Sequence, residues 1–344
     1  MDIVLLRRHQ WRWLVVALAL SAGAVVLVAG WGAGGLLVFL AKASLFYLGT
    51  ALLVVSGLWV VEALRVKAIA ELTGARQKLS EILQANLAAA FVSAITPASA
   101  GGPPAQAYFL ARLGLEPEKA AAVVAARLLL NLAFFSVAST ILFYLYCGKL
   151  GLARPLGVAV AAGAAGLSVA VAVLGYLLSR PSLAEAAGLR LAEYLERLGP
   201  QWGAWAKGVL VPRLAAFRGT LILIAGARWS ARLLLAGLTG LFWLGFFSLA
   251  YLLVLSLGLK PTYVAVMVRQ LLYYFVISYV PLPGASGVAE LGLAALFAGV
   301  IPQALLPGFV AAWRFLTYHL NIVVGGPFFW ALTRPPVRRP IEEL

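Results

Sequence analysis

The stretch I-T-P-A-S-A-G-G-P-P, residues 95–104, interrupts an apolar run that extends from about 80 to 111. A second stretch, V-P-L-P-G-A-S-G at 280–287, interrupts another run from about 263 to 300. Proline removes a backbone donor, and glycine loosens a helix. In hydrocarbon, every freed N–H or C=O needs a partner within protein or in a water-filled cavity. Both segments therefore read as re-entrant hairpins of two half-helices, in preference to a kinked full span or two short spans. Pro97, Gly101, Gly102 and Pro103 at the first tip, and Pro281, Pro283, Gly284 and Gly287 at the second, are the candidate gating residues.

Around these breaks the chain is built for a bilayer. Hydrophobic residues make up 63% of its 344 positions and charged residues 11%, with a mean hydropathy of +0.97. A soluble domain averages about 25% charged residues, so an aqueous enzyme with one buried core is excluded. Full spans are expected at about 13–30, 43–63, 119–146, 155–178, 230–257 and 304–332, each long enough for a hydrocarbon core of about 30 Å. Trp11, Trp13 and Trp31 flank the first span at interfacial positions. Its opening resembles a signal peptide, but the apolar run continues past Ala22-Gly23-Ala24. The lone cysteine, Cys147, excludes an intrachain disulfide. The fold class is thus all-α: a polytopic membrane protein, a single membrane domain over 1–344.

Charge sets the orientation. With Arg7, Arg8 and Arg12 inside, the first two spans return the chain inside at Arg65, Lys67, Arg76 and Lys78. The first hairpin enters from there and returns at Arg112 and Lys119. The segment 179–229 is inside with seven basic residues, and the last span brings Arg334, Arg338 and Arg339 inside. The outer connections hold only Lys42, Lys149, Arg154 and Lys260. Treating either hairpin as a full span would destroy this asymmetry. Both termini are expected to be cytoplasmic, in a plasma membrane. The net charge of +15 belongs to the inner face and anionic lipid, not to nucleic acid.

An internal repeat follows. V-A-A-R at 124–127 comes after the first hairpin and V-A-A-W-R at 310–314 after the second, with arginine 26 residues past Gly101 and 27 past Gly287. The repeat units are about 43–147, with its hairpin at 80–111, and about 230–333, with its hairpin at 263–300, in opposite membrane orientations. Such inverted repeats place a transport site at the midplane. Between them, 182–206 carries leucines and tryptophans at helical spacing. It reads as an amphipathic helix on the inner interface, ended near Gly199-Pro200, or as a cytosolic linker packed on the core.

The ionisable groups expected within the spans are Arg127, Arg269, Glu290 and Arg314. A buried charge there faces a cavity or a partner. Three arginines against one glutamate leave a positive excess, and a guanidinium fork matches a phosphate. The competing reading is structural, with Glu290 pairing one arginine while the others cap half-helices or snorkel. Half-helix N-termini near Gly102 and Gly287 also suit anions. Gln106, Asn131 and His319 are neutral candidates for headgroup contacts, with Asn86, Ser278 and Asn321; each alone also serves as helix–helix glue. No paired carboxylates, Cys/His metal spacing, G-x-S-x-G or phosphate loop occurs. No cofactor, metal or enzymatic activity is expected.

The motifs T-P-A-S-A-G-G-P-P-A-Q-A-Y (96–108), V-A-A-R (124–127), P-L-P-G-A-S-G-V-A-E (281–290) and W-R (313–314) resemble those of the lysylphosphatidylglycerol synthase transmembrane-region family, over nearly the whole chain. The resemblance implies a lipid-translocating domain. Its best-known members move aminoacylated phosphatidylglycerol between leaflets and carry a soluble aminoacyl-transfer domain; other relatives are linked to polyprenyl-linked glycans or hopanoids. Only about ten residues follow the last expected span, so the expectation is a membrane domain without that transferase. The family's usual acidic and basic residues after Gly-Gly are here Pro103 and Gln106. The leading expectation is a translocase for an anionic phospholipid or polyprenyl-linked lipid. The alternative is a non-transporting scaffold presenting lipid to a separate synthase or glycosyltransferase.

Overall fold

A computed structural model describes residues 35–146, 181–277 and 284–334, with isolated positions at 163, 165, 166, 169, 173, 176, 280 and 282. The described residues are helical, without strands. The described residues begin with a short apolar α1 (Gly35–Lys42) and the long apolar α2 (Leu45–Glu71). The first broken segment forms α3 (Leu79–Ile95) and α4 (Gly102–Arg112), and α5 (Pro117–Tyr146) follows. An amphipathic α6 (Pro181–Leu198) leads through α7 (Pro200–Trp205) and a π-turn (Ala206–Leu210) into α8 (Val211–Ala225). Then come α9 (Trp229–Ser256), and α10 (Tyr263–Ile277) with α11 (Val288–Phe297) from the second broken segment. The last element is a long helix, α12 (Leu306–Arg314) and α13 (Leu320–Thr333), continuous through a π-turn at Phe315–His319.

Among the described residues, five helical stretches are long and apolar enough to cross a membrane: 45–71, 117–141, 206–225, 229–256 and 306–333. Four of them coincide with expected spans. The expected spans at 13–30 and most of 155–178 lie outside the described residues. The second span is longer than expected: α2 continues past residue 63 to Glu71, because L-W-V-V-E-A-L-R-V-K-A-I-A packs on both flanks with Val66, Ile69 and Ala70 buried. Arg65, expected in an inner loop, is therefore wholly buried inside the helix.

The stretch 206–225 was expected inside a cytoplasmic connector. Its apolar composition carries three basic residues, and its tethers are specific. Arg213 pairs with Glu118 in the first turn of α5, Nε to Oε1 at 3.3 Å, and Ala225 is joined to α9 by three residues. These two anchor points lie at the same end of the bundle, as follows. Backbone Ser44 N–H donates to Ser256 O, and Leu58 packs against Gly245, so α2 and α9 run antiparallel. The start of α9 thus lies with the end of α2, and short loops put the starts of α3 and α5 there too. The expected break at Gly199-Pro200 is present, between α6 and α7.

The long helix α12–α13 organises the rest. At its start, Phe309 packs on Phe297, the end of α11, with ring centroids 4.8 Å apart. At its middle, the ring of Tyr318 lies against Gly284, and Tyr318 Oη donates to Ala94 O at 3.2 Å. Further along, Gly325 lies against Leu87 O and Phe329 against Phe91. At its end, Arg112 Nη2 donates to Arg334 O at 3.1 Å. The two broken segments therefore approach this helix from opposite ends, and their breaks meet at its middle. Three apolar clusters occur among the described residues. One joins α1, α2 and α9–α12 up to Leu320; the second joins α2–α5, α8, the start of α9 and α13; a smaller third joins α9 to α10.

Candidate functional site

The first break is built by Thr96. Its Oγ1 donates to Val92 O at 2.8 Å and accepts Gly101 N–H at 3.0 Å, which closes the turn. Ala98 and Ser99 take positive φ within it, and Pro103 and Pro104 sit in the first turn of α4, where an N–H is dispensable. Pro97, Gly101, Gly102 and Pro103 all line this turn. Gln106 Nε2 donates to Asn86 Oδ1 at 2.7 Å, so the predicted headgroup residue ties α4 to α3.

The second break carries a buried ion pair. Arg314 Nε stands 2.8 Å from Glu290 Oε1, with Glu290 wholly buried. Glu290 is in the first turn of α11, and its Oε2 accepts Gly287 N–H at 2.7 Å, so the carboxylate also caps its own helix. Arg314 Nη2 reaches Ser286 Oγ at 3.4 Å, and its guanidinium lies 4.2 Å from the centre of the Tyr318 ring. Tyr273 packs edge-on to Trp313. Gly284 takes positive φ; a β-carbon there would stand 2.2 Å from the Tyr318 ring, so only glycine lets the break touch this tyrosine. Pro281 and Pro283 lie outside the described residues, as does Ser278.

Arg127 is elsewhere. Its Nη1 donates to Glu62 Oε1 at 2.9 Å, while Glu62 Oε2 meets Arg65 Nη2 at 2.6 Å. Arg65 Nη1 donates to Asn131 Oδ1 at 2.8 Å, and Trp243 Nε1 donates to the same oxygen at 3.0 Å. Arg65 also lies over the Phe242 ring at 5.0 Å. The predicted pair Arg127 and Asn131 thus comes together, but around two residues that sequence reading missed. Glu62 was overlooked within the span, and Arg65 was assigned to a loop because the span was ended at residue 63. An E-x-x-R spacing inside an apolar run was the available signal: it puts both groups on one helix face.

Tyr273 and Tyr274 connect the two charged clusters. Tyr273 faces Trp313, and Tyr274 sits in an aromatic group with Trp243, Phe246, Phe247 and Phe135. Trp59 Nε1 adds a second link, donating to Asn321 Oδ1 at 3.2 Å. Arg269 joins neither cluster: it donates to Leu296 O and Ala265 O, both at 2.9 Å, and so fastens α10 to α11. His319 is half-buried in the π-turn with its ring edge-on to Tyr318. Among the described residues, no group of three metal-ligating side chains occurs.

The family profile described as Lysylphosphatidylglycerol synthase TM region matches residues 13–325, which include both breaks and both charged clusters. The chain belongs to this family. It is also 28% identical over 289 residues to a UPF0104 membrane protein of Archaeoglobus fulgidus, covering 83% of this chain and 86% of that relative. The multi-pass membrane assignment therefore stands on both composition and kinship.

Proposed function

We propose that the protein translocates an anionic lipid headgroup between leaflets, through a midplane site between two re-entrant hairpins of opposite orientation. The observation that carries this reading is the meeting of two helix breaks at Tyr318, each reached from a different end of one membrane-length helix. Non-helical backbone at such a depth is tolerated where it is buried in protein or lines a cavity. Two breaks from opposite sides are what alternating access between inverted halves requires. In this reading α3–α4 enters from the inner face and α10–α11 from the outer face. The segment 179–229 stays on the inner interface, since both ends of α8 are tethered at the inner ends of α5 and α9. Arg127 and Arg314 receive the phosphate in turn, and Gln106, Asn131 and His319 flank its path. Arg269 holds the second hairpin together.

The reaction is movement without covalent chemistry. Each arginine keeps its carboxylate partner while the phosphate takes its remaining donors, so neither charge is left bare in hydrocarbon. The test is purified protein in liposomes carrying a fluorescent anionic phospholipid, with leaflet position read by an impermeant quencher. The wild type should equilibrate the leaflets, and Arg127→Ala and Arg314→Ala should each slow this at least about tenfold. Unchanged rates in both variants would sink the site. Absence of movement, with co-purification of a lipid-modifying enzyme, would favour the scaffold instead.

A further inference from the structure

Two turns line a cavity of about 290 Å³ at the base of the first broken segment. Residues 73–77, between α2 and α3, form one wall; Gly114, Leu115, Glu116 and Lys119, between α4 and α5, form the other. Each turn is fixed by paired backbone bonds around a glycine at positive φ. Gly74 and Ala75 N–H donate to Glu71 O and Ala70 O, and Gly114 and Leu115 N–H donate to Ala111 O and Leu110 O. These bonds occupy carbonyls in the last turns of α2 and α4 that would otherwise repel an anion. The charged wall groups are Arg76, Lys119 and Glu116, a net of one positive charge. Lys119 is held by Glu116 at 2.9 Å, whereas Arg76 has no carboxylate partner among the described residues. The nearby acids are engaged: Glu71 by Lys67, Glu81 by Lys78 N–H and Glu118 by Arg213. Gln77 Oε1 is buried and receives no hydrogen bond among the described residues. The cavity is therefore complementary to an anion that also carries an N–H donor.

We propose that this cavity binds an acidic peptide segment, and that Glu342 and Glu343 of the same chain supply it. Arg112 Nη2 donates to Arg334 O, and Gly114 of the wall follows Arg112 by two residues. α13 also runs antiparallel to α3, with Tyr318 at Ala94 and Gly325 at Leu87, so its end lies toward the turn that precedes α3. The chain beyond Arg334 thus leaves beside both walls. Its sequence is P-P-V-R-R-P-I-E-E-L. Prolines favour an extended path and bring no N–H, whereas every residue from Ile341 onward has an N–H for Gln77. At about 3.3 Å per residue, Glu342 reaches roughly 26 Å from Arg334, ample for a wall that begins two residues past Arg112. Arg339 is three residues before Glu342, roughly 10 Å in extended chain, so it and Arg338 need not enter the cavity. Docking joins the turn before α3 to the turn after α4 and straps the base of the first broken segment. It does not depend on lipid movement.

The test uses the full chain in a Cys147→Ser background, with Ala75→Cys in the wall and Ile341→Cys beside the acidic pair. Disulfide formation under mild oxidation is followed by mass spectrometry of the linked peptides. The bond should form readily, and Glu342→Lys with Glu343→Lys should slow it at least about fivefold. Adding Arg76→Glu should then recover most of the rate, because the charges are exchanged. Raising the salt concentration should slow the acidic tail and leave the charge-reversed tail unchanged. Equal rates for the acidic and reversed tails would mean chance collision of a tethered end and would overturn the assignment. So would a lost rate that Arg76→Glu does not recover in a protein that still elutes as a single monodisperse peak.

Discussion

Tyr318 is where the two helix breaks converge. Its hydroxyl holds Ala94 O beside the first break, its ring fills the space left by Gly284 at the second, and its face receives Arg314. Gly284→Ala must displace that ring and hold an alanine at φ +56, which should cost about 1–3 kcal/mol. Thermal unfolding followed by fluorescence-detected size exclusion would read it, and a wild-type midpoint would mean that the break is slack. The Glu290–Arg314 pair makes a separate point about charge. Arg314→Met leaves a buried carboxylate without its cation and should cost about 3–5 kcal/mol. Adding Glu290→Met should return most of that stability while leaving the protein inactive. If the double variant were no more stable than the single one, the pair would owe its strength to more than charge balance.

At the scale of elements, each broken segment is held by a different device. The first uses close packing: Gly325 lets α13 approach α3 until its Cα region touches Leu87 O, and a β-carbon there would stand 2.3 Å from that oxygen. Small residues permit this approach where lipid supplies no hydrophobic driving force between helices. Gly325→Val should therefore push α3 off α13 and open the hairpin-one region to hydrogen exchange while α9 and α2 stay protected. Uniform exchange across both halves would mean that the two packings are not separable. The second segment is held by polar contacts instead, Arg269 to two carbonyls and Gln270 Nε2 to Phe247 O at 2.6 Å. The π-turn at Phe315–His319 lies between these two devices, at the level of both breaks. A local π-turn of this kind commonly marks a functional position in a helix.

The whole molecule is defined by opposition along one helix. Phe309 meets the base of the second segment and Arg334 the base of the first. In a Cys147→Ser background, Lys78→Cys and Lys260→Cys should react with a membrane-impermeant thiol reagent from opposite faces of sealed vesicles. Reaction of both from one face would rule out the proposed orientation. The Tyr273–Tyr274 pair lies between the two charged clusters, with Tyr273 against Trp313 and Tyr274 against Trp243.

Much of this was legible in the chain. The helix limits of both broken segments fall close to the expected ones, because proline and glycine act on their own backbone and their effect needs no partner. Arg314 and Glu290 were recognisable as charges stranded in apolar sequence. That Glu290 pairs one arginine was the structural alternative read from the chain, but which arginine it pairs, and the partners of the others, were not legible. Arg127 meets Glu62 across 65 positions, and Tyr318 meets Ala94 across 224. Arg65 was misplaced for the same reason: hydropathy ends a span at the first charge, whereas α2 continues because Glu62 and Asn131 satisfy that charge inside the bundle. Local backbone chemistry determines where a helix stops. Only packing between distant segments decides whether a buried arginine is neutralised, and so whether it remains available to a phosphate.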